Sequence, residues 1–376
     1  MVVSKGTYTR RAALAMLGTS GALAAASSAG YSTLTTKRTA TLSVASASST
    51  IKITDRNGNE PGDTGFGNYN PKANGGTAYL TVENNFSFDL SLGATNSNVT
   101  VSDSTVSANS SVDVTLTHSQ SSSQSTELEV SEGSQSARPY STFSVPAAPS
   151  SAAARWTLDT SSVLDAWGSN DGSVTEGTAG ATGLAGYNSG TAFDFVGNDD
   201  GGVGVPYQPD FSTAQSHSFW INVDSTPTGW MGVYGRDNSG DNSRVFEYQV
   251  TPNDALRLYM KDESISLNAN YTPTGGTLSP GTSHHVAVTY EGTSNGDLTL
   301  YVDGSNVAST TMPPQSGPVG AQQNQDFGIG ARRLANNTDG TPKWAEDMDG
   351  QMDDVRFYNK ELTASEVTSL YNTGAI

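Results

Sequence analysis

Residues 348–373, MDGQMDDVRFYNKELTASEVTSLYNT, contain the pattern that decides the fold. Residues 351–358 alternate as a strand does, because side chains at every second position share a face. One face is expected to carry Met352, Asp354, Arg356 and Tyr358, and the other Asp353, Val355 and Phe357. Thr363 and Glu366 then have the spacing of a capping box, which predicts the start of a short helix. The apolar stripe of that helix is formed by Val367, Leu370 and Tyr371.

Six segments upstream have the same strand-like character. They are 155–159 (RWTLD), 192–195 (AFDF), 219–223 (FWINV), 285–290 (HVAVTY), 298–304 (LTLYVDG) and 327–330 (FGIG). In this order, and with the closing strand and helix, they resemble the laminin-G-like, concanavalin A-type jelly-roll family over residues 155–373. The resemblance implies an all-β sandwich and a role in extracellular recognition.

The predicted core of this sandwich follows from strand alternation. Two antiparallel sheets pack about 10 Å apart, and alternate residues of each sheet fill the space between them. The expected core residues are Trp220, Val286, Val288, Leu298, Leu300, Ile329, Val355 and Phe357. The Asp303-Gly304 pair favours a tight turn between two of the strands.

Composition and charge narrow the possible functions. The chain has 376 residues, no Cys, and abundant Gly, Ser and Thr, which suits short strands joined by polar turns. Residues 1–152 hold 10 acidic and 9 basic side chains, whereas residues 153–376 hold 27 and 10, so nearly all of the net charge of −18 lies in the second part. This distribution excludes a basic nucleic-acid footprint. It also suggests a high-salt habitat such as that of a halophilic archaeon, where ions screen the self-repulsion of an acidic surface.

The first 29 residues are expected to direct export. Lys5, Arg10 and Arg11 precede an Ala-rich run that ends in small residues, as in a signal peptide. Residues 9–14 (TRRAAL) resemble a twin-arginine signal. The apolar run is too weak for a confident membrane span, and no other stretch could form one. We therefore expect a secreted protein at the extracellular cell surface.

Residues 30–146 are predicted to form a small β-sandwich. Strand-like alternation occurs at 39–45, 77–83, 86–92, 99–102, 112–117 and 128–130, with turn clusters between the runs. Residues 29–33 (AGYST) and 38–45 (RTATLSVA) carry a resemblance, over about residues 30–145, to haloarchaeal secreted proteins distantly similar to the TasA and camelysin family of surface and fibre proteins. The resemblance implies anchoring or assembly, with strand addition at a sheet edge as the route to self-assembly. Residues 147–154, rich in Pro, Ala and Ser, are predicted to be a linker to the jelly roll at 155–376.

Two metal sites are suggested by the jelly-roll resemblance. Glucanases with this fold end in a similar Asp-x-Val-Arg strand, whose aspartate holds a structural Ca²⁺, and Asp353 matches that aspartate. Asp165 and Asn170 in an early loop are candidate co-ligands, because Ca²⁺ takes about 6–8 oxygen ligands. The alternative is that Asp353 pairs with Arg356 or is exposed at a sheet edge.

Asp237 and Asn238 are similar to a calcium-binding Asp-Asn pair of pentraxins. The second pentraxin cluster would fall near residues 332–339, where Arg332 and Arg333 depart from the pattern, so a polar turn is the alternative. Asp241 and Asn242 could compensate for that departure.

Exposed aromatic rings are the candidate ligand contacts. Trp230, Tyr234 and Trp344 lie near predicted loops and could stack on sugar rings, with loop packing as the alternative. Glu247 is the only acid in its strand, so the spaced carboxylate pair of jelly-roll glucanases is not found, and we expect no enzyme. The sequence therefore predicts a secreted protein that binds a glycan or glycoprotein, with a structural filament subunit as the alternative.

Overall fold

The computed structural model describes most of the chain beyond residue 50. The described residues are 51–61, 63, 66–133, 135–137, 143–182, 184, 191–197, 201–236, 245–261, 270–312, 314, 326–334 and 343–376. The chain divides into two compact units, with the division between Ala148 and Pro149. Both are built from strands. Among the described residues, no helix has the length and hydrophobicity that a membrane span requires.

The first unit contains eleven described strands. They are β1 (Ile51–Thr54), β2 (Asn68–Lys72), β3 (Gly75–Asn84), β4 (Leu90–Ala94), β5 (Val99–Val101), β6 (Thr105–Val106), β7 (Ser110–His118), β8 (Gln124–Thr126), β9 (Leu128–Glu132), β10 (Gln135–Ala137) and β11 (Phe143–Val145). They form a five-stranded sheet in the order β1-β3-β7-β5 with β2 beside β3, a four-stranded sheet β10-β9-β4-β6, and the pair β11-β8. A common core includes Leu80, Val82, Leu116 and Val130.

Most strands predicted for the first unit are confirmed. β3, β5, β7 and β9 overlap the predicted runs. The strand predicted at 86–92 begins only at Leu90. Before it, the chain bends at residues 86–88, where the rings of Phe86 and Phe88 stack on each other. The predicted strand at 39–45 lies outside the described residues.

The second unit contains eighteen described strands and one helix. They are β12 (Ala152–Trp156), β13 (Ser173–Val174), β14 (Thr178–Thr182), β15 (Thr191–Val196), β16 (Val203–Val205), β17 (Gln215–Val223), β18 (Met231–Arg236), β19 (Val245–Val250), β20 (Ala255–Lys261), β21 (Asn270–Tyr271), β22 (Thr274–Thr277), β23 (Ser283–Tyr290), β24 (Asp297–Val302), β25 (Ser305–Thr311), β26 (Phe327–Ile329), β27 (Arg332–Leu334), β28 (Lys343–Ala345), β29 (Asp349–Tyr358) and α1 (Ala364–Thr373). The predicted linker is too long at its C-terminal end. Residues 152–154 belong to β12, and Ala154 is buried in the core.

Two large sheets pack face to face in the second unit. One has the order β14-β15-β29-β17-β23-β24-β25, with β12 also paired to β29. The other, which we call the ten-stranded sheet, has the order β13-β16-β26-β18-β19-β20-β21. In the ten-stranded sheet, β22 pairs with β20, and β27 lies between β18 and β28.

Seven of the eight predicted core residues lie between these sheets, which confirms the prediction for all but Trp220. Trp220 faces away from that core. It packs with Leu184, Ala192 and Tyr371 beneath the C-terminal helix.

A bulge in β29 is a second difference from the predicted alternation. Ser218 pairs with Arg356 and Trp220 pairs with Asp353, so β29 contains one more residue than β17 in this interval. The extra residue is Asp354, whose φ is +54°. The predicted strict alternation is therefore wrong. Met352, Val355 and Phe357 share the core side, whereas Tyr358 packs on the opposite side in a second cluster.

The bulge supports a buried ion cluster. Arg155 Nε donates to Asp354 Oδ1 at 2.6 Å, and Arg356 Nη2 donates to Asp354 Oδ2 at 2.6 Å. Although burial acts to raise it, the two guanidinium groups hold the pKa of Asp354 below its ordinary value. Arg356 Nη1 also donates to the carbonyl of Gly374 at 2.6 Å, which ties the end of α1 to the sheet. The predicted capping box is confirmed, with Thr363 and Glu366 bonding reciprocally.

Candidate functional site

An exposed tryptophan marks the outer side of the ten-stranded sheet. Alternation in β19 and β20 directs Phe246, Tyr248, Leu256 and Leu258 into the core. The intervening residues therefore point away from the core. We call the set formed by Trp230, Gln249, Arg257 and Tyr259 the Trp230 face. Trp230 is 47% exposed and follows a largely exposed loop at 224–229.

Arg257 organises the Trp230 face. Its Cζ lies 4.4 Å from the Trp230 ring centroid and 4.8 Å from the Tyr259 ring centroid. Its Nη1 donates to Gln249 Oε1 at 3.1 Å, and the two residues are register partners on adjacent strands. Two cation–π contacts and one hydrogen bond thus fix the guanidinium beside the exposed indole.

A buried acid lies next to this face. Glu247 is fully buried, and Arg332 Nη1 lies 3.8 Å from its Oε2. Arg332 Nη2 lies 2.9 Å from Oε1 of Glu346, and Gln249 Nε2 donates to Glu346 Oε2 at 3.2 Å. Burial raises the pKa of Glu247 to about 8, with Arg332 acting to lower it and Glu346 to raise it. Glu247 is therefore mostly protonated at neutral pH, and its burial keeps it from direct contact with a ligand.

Two of the three predicted ligand-binding aromatics are buried instead. Tyr234 is 1% exposed, and its ring stacks on Phe327 with centroids 5.6 Å apart, so its assignment as a ligand contact is wrong. The bulge between Gly232 and Tyr234 changes the register of β18. Trp344 is 8% exposed and packs against Arg333, whose Cζ lies 5.2 Å from its ring centroid. Trp230 alone of the three has an open ring.

Asp353 is buried and unpartnered. It is 1% exposed, and neither carboxylate oxygen has a hydrogen-bond partner. Burial and then the Asp159 carboxylate hold the pKa of Asp353 well above its ordinary value, although Arg155 and Arg356 act to lower it. Of the two alternatives, exposure at an edge is wrong, and Arg356 pairs with Asp354 rather than with Asp353.

Asp165 has a structural role in its own loop. Its Oδ1 accepts from the backbone N–H groups of Arg155 and Trp167 at 2.9 and 3.0 Å. Its Oδ2 accepts from the backbone and side-chain nitrogens of Asn170 at 3.1 and 2.8 Å. These four bonds use the carboxylate to close the loop, so the structure gives no contact that joins Asp165 to Asp353.

The second predicted metal site falls outside the described residues. It comprises Asp237, Asn238, Asp241 and Asn242. Within the described ranges, no group of three or more His, Asp or Glu side chains is placed to hold a metal ion. A cation at Asp353 would therefore need backbone or amide oxygens as additional ligands.

Sequence reasoning missed the residues that surround Trp230. The signal was present in 246–249 and 255–259, where apolar residues alternate with Glu247, Gln249, Arg257 and Tyr259. Polar and aromatic side chains at every second position of two neighbouring strands predict a shared outer face. The contact between Trp230 and Arg257 could not be predicted from spacing, because the 26 intervening positions include β18, β19 and the start of β20.

Comparison with known families identifies the second unit. Residues 196–368 match the family model described as the concanavalin A-like lectin/glucanases superfamily. This match confirms the predicted laminin-G-like jelly roll, and the all-β fold of both units is confirmed by their sheets. The TasA-like resemblance of the first unit stays a prediction. The comparison with curated proteins gave no match.

Solved structures give weaker similarities. Domain 4 of an extracellular GH43 arabinanase from Geobacillus stearothermophilus, in complex with arabinotriose, is 21% identical over 58% of this chain and 97% of that chain, with a TM-score of 0.42. The receptor-binding domain of botulinum neurotoxin type G is 12% identical over 59% of this chain and 51% of that chain, also with a TM-score of 0.42. A Trypanosoma rangeli sialidase in complex with the inhibitor DANA is 12% identical over 84% of this chain and 46% of that chain, with a TM-score of 0.43. This chain thus spans about half the length of the toxin domain and less than half of the sialidase. Similarity at this level does not identify a ligand.

Proposed function

We propose, from the concanavalin A-like jelly roll at residues 196–368, that the second unit binds a glycan on the Trp230 face. The observation that carries the proposal is the exposed indole of Trp230, held in place by Arg257. A large apolar ring that is 47% exposed is unusual in a unit whose other tryptophans are buried or partly buried. A sugar ring presents an apolar C–H face of matching size, and polar side chains beside the indole can bond its hydroxyl groups.

The surroundings of Trp230 suit such a ligand. Apart from its two chain neighbours, no described residue lies within 4 Å of the position that a Cβ on Gly229 would take, so described side chains do not crowd this position beside the indole. The partly exposed Glu346 supplies a carboxylate, and the buried Gln249 donates to it and holds it in place. Because these side chains are held before binding, little side-chain entropy is lost when a ligand docks.

A glycan array probed with the full chain tests the proposal. Trp230→Ala should reduce binding to every glycan retained by the wild type by about tenfold or more, as expected when an aromatic anchor is removed. Leu164→Ala is the matched control, because Leu164 is also an exposed apolar side chain, 60% exposed. Equal binding by Trp230→Ala and the wild type would contradict the site. An array without saturable binding would contradict the function.

We also propose that Ca²⁺ is a structural cofactor at Asp353. The support is the buried carboxylate with two unpartnered oxygens beside Asp159. Two buried amide oxygens, Asn222 Oδ1 and Gln351 Oε1, also have no hydrogen-bond partner. Asn222 and Gln351 pair across β17 and β29, two positions along from the pair formed by Trp220 and Asp353 and therefore on the same face of the sheet. Carboxylate and amide oxygens are the ligands that Ca²⁺ prefers, and bound Ca²⁺ would offset the cost of the buried charge.

Thermal unfolding with Ca²⁺ or with a chelator tests the cofactor. Ca²⁺ should raise the Tm of the wild type, because a ligand at 100 times its Kd stabilises the folded state by about 2.7 kcal/mol. Asp353→Asn should lose this response, whereas the control Asp297→Asn, at an exposed position, should keep it. Identical wild-type curves with Ca²⁺ and chelator would remove the site.

Export and assembly are separate proposals. Export to the cell surface rests on residues 1–29, and sequencing the N-terminus of the native protein would test it. The filament alternative is supported by β7, of whose nine residues only three pair with β5 among the described strands. Such an edge can accept a strand from another copy. Negative-stain microscopy of surface fractions should then show fibres, and monomers at every concentration would contradict assembly.

A further inference from the structure

Among the described residues, Arg257 has no acidic partner, although this part of the chain is strongly acidic. Residues 153–376 contain 27 acidic side chains and 10 basic ones. Arg155, Arg332 and Arg356 each contact a carboxylate. In the described ranges no carboxylate lies within 4.0 Å of the Arg257 guanidinium, whose contacts are Gln249 and two aromatic rings.

Two other arginines of the ten-stranded sheet differ from Arg257 in burial. Arg236 is 0% exposed and Arg333 is 4% exposed, and Arg333 donates to two backbone carbonyls at 2.6 and 3.0 Å. Arg257 is only partly buried and lies beside the exposed Trp230. It is therefore the arginine of this sheet that can present N–H donors to a ligand docked on the indole.

We propose that the glycan bound on the Trp230 face carries a carboxylate that pairs with Arg257. This inference rests on the proposed glycan-binding function and specifies its ligand class. A planar guanidinium matches a carboxylate in a bidentate geometry, and an ion pair of this kind is both stronger and more directional than a neutral hydrogen bond. The rings of Trp230 and Tyr259 hold the guanidinium, so its orientation is set before the ligand arrives.

The charge of the unit favours an isolated carboxylate over a dense polyanion. Between residues 153 and 376 the acidic side chains exceed the basic ones by 17. At physiological ionic strength the repulsion from each acidic side chain decays over about 8 Å, so a single carboxylate paired with Arg257 is repelled less than a ligand that carries many charges. A ligand with several sulfates per disaccharide would extend over the acidic surroundings and be repelled. A sugar acid within an otherwise neutral glycan provides one carboxylate for Arg257 and adds no further negative charge near the acidic surface.

Calorimetric titration with matched acidic and neutral glycans tests the inference on the full chain. The probes are an oligogalacturonate and its methyl ester, sialyllactose and lactose, and a heparin oligosaccharide. The wild type should bind one of the two carboxylated probes about tenfold or more tightly than its neutral counterpart, and the heparin probe should bind weakly. The two pairs distinguish a uronate from a sialate as the source of the carboxylate.

Substitutions at Arg257 connect the discrimination to this residue. Arg257→Gln should abolish the preference for the acidic member, and Arg257→Lys should reduce it, because the charge stays but the bidentate geometry is lost. Lys343→Gln is the control, since it removes one exposed positive charge from β28. An unchanged far-ultraviolet circular dichroism spectrum and an unchanged Tm of each variant would show that the fold is intact.

The outcomes separate this inference from the proposed function. Equal wild-type affinity for the acidic and neutral members, with loss of both in Trp230→Ala, would overturn the carboxylate inference and leave glycan binding intact. A preference that survives in Arg257→Gln would overturn the role of Arg257. Preferential binding of heparin would overturn the argument from net charge. Absence of binding to every glycan would overturn both proposals.

Discussion

Replacing Glu247 by Gln should remove a pH-dependent loss of stability from the second unit. Glu247 is fully buried, and burial raises its pKa from 4.5 to about 8. A carboxyl group whose pKa is higher in the folded state holds its proton more tightly there. Its stabilising contribution is therefore complete below the unfolded pKa of 4.5 and is lost as the pH rises through 8.

The size of the effect follows from the two pKa values. One pKa unit corresponds to about 1.4 kcal/mol. The shift from 4.5 to about 8 can therefore lower the free energy of unfolding by at most about 5 kcal/mol between low and high pH. Between about pH 5 and pH 9 the wild type should lose about 4 kcal/mol from this group, whereas Gln, which mimics the protonated form, loses none. For a unit of this size the difference in Tm should grow by about 8–16 °C over that range.

Tryptophan fluorescence gives a selective assay. All five tryptophans lie between residues 156 and 344, so unfolding curves read from tryptophan report the second unit alone. Glu291→Gln removes the same charge from an exposed position and is the control. Parallel pH profiles for the wild type and Glu247→Gln, at constant salt, would refute the reasoning from burial.

Three further substitutions test the packing of the second unit. Asp354→Asn removes the charge shared by two buried arginines and should cost about 3–5 kcal/mol in urea unfolding; a cost below about 1 kcal/mol would contradict the ion cluster. Gly330→Ala, at a φ of +78°, places a Cβ against the Phe195 ring and should lower stability by at least about 1 kcal/mol, and an unchanged Tm would argue against this geometry. Thr363→Ala removes one half of the capping box and should cost about 1 kcal/mol; no loss would mean that the cap is not formed in solution.

Features set by local chemistry could be predicted from the sequence. The capping box of Thr363 and Glu366 depends on spacing and on two side-chain types, and it forms as predicted. The Asp303-Gly304 turn also forms as predicted, with φ values of +50° and +74° that this pair adopts readily. In both places the neighbouring residues alone determine the conformation.

Features set by contacts between distant strands could not be predicted in the same way. The bulge at Asp354 depends on Arg155, which lies 199 positions earlier in the chain and pairs with the bulged carboxylate. A strict period of two therefore misassigned the faces of β29. Tyr234 lies within β18 and not in the predicted loop, and its ring packs in the core.

The candidate site likewise contains one residue that the sequence predicts and one contact that it does not. Trp230 could be predicted as an exposed aromatic from its position after a polar loop, and the structure gives it an open ring. Arg257 could not be connected to it, because the contact requires β18, β19 and β20 to lie side by side. The absence of an acidic partner for Arg257 is likewise a property of the folded surface.

A crystal structure of the full chain with its best-binding glycan would show whether the Trp230 face is the binding site. We expect a sugar ring stacked on the open face of Trp230, with polar groups of the ligand within hydrogen-bond distance of Arg257. A glycan bound elsewhere on the second unit, with the Trp230 ring still in contact with solvent, would contradict the assignment of this face as the binding site.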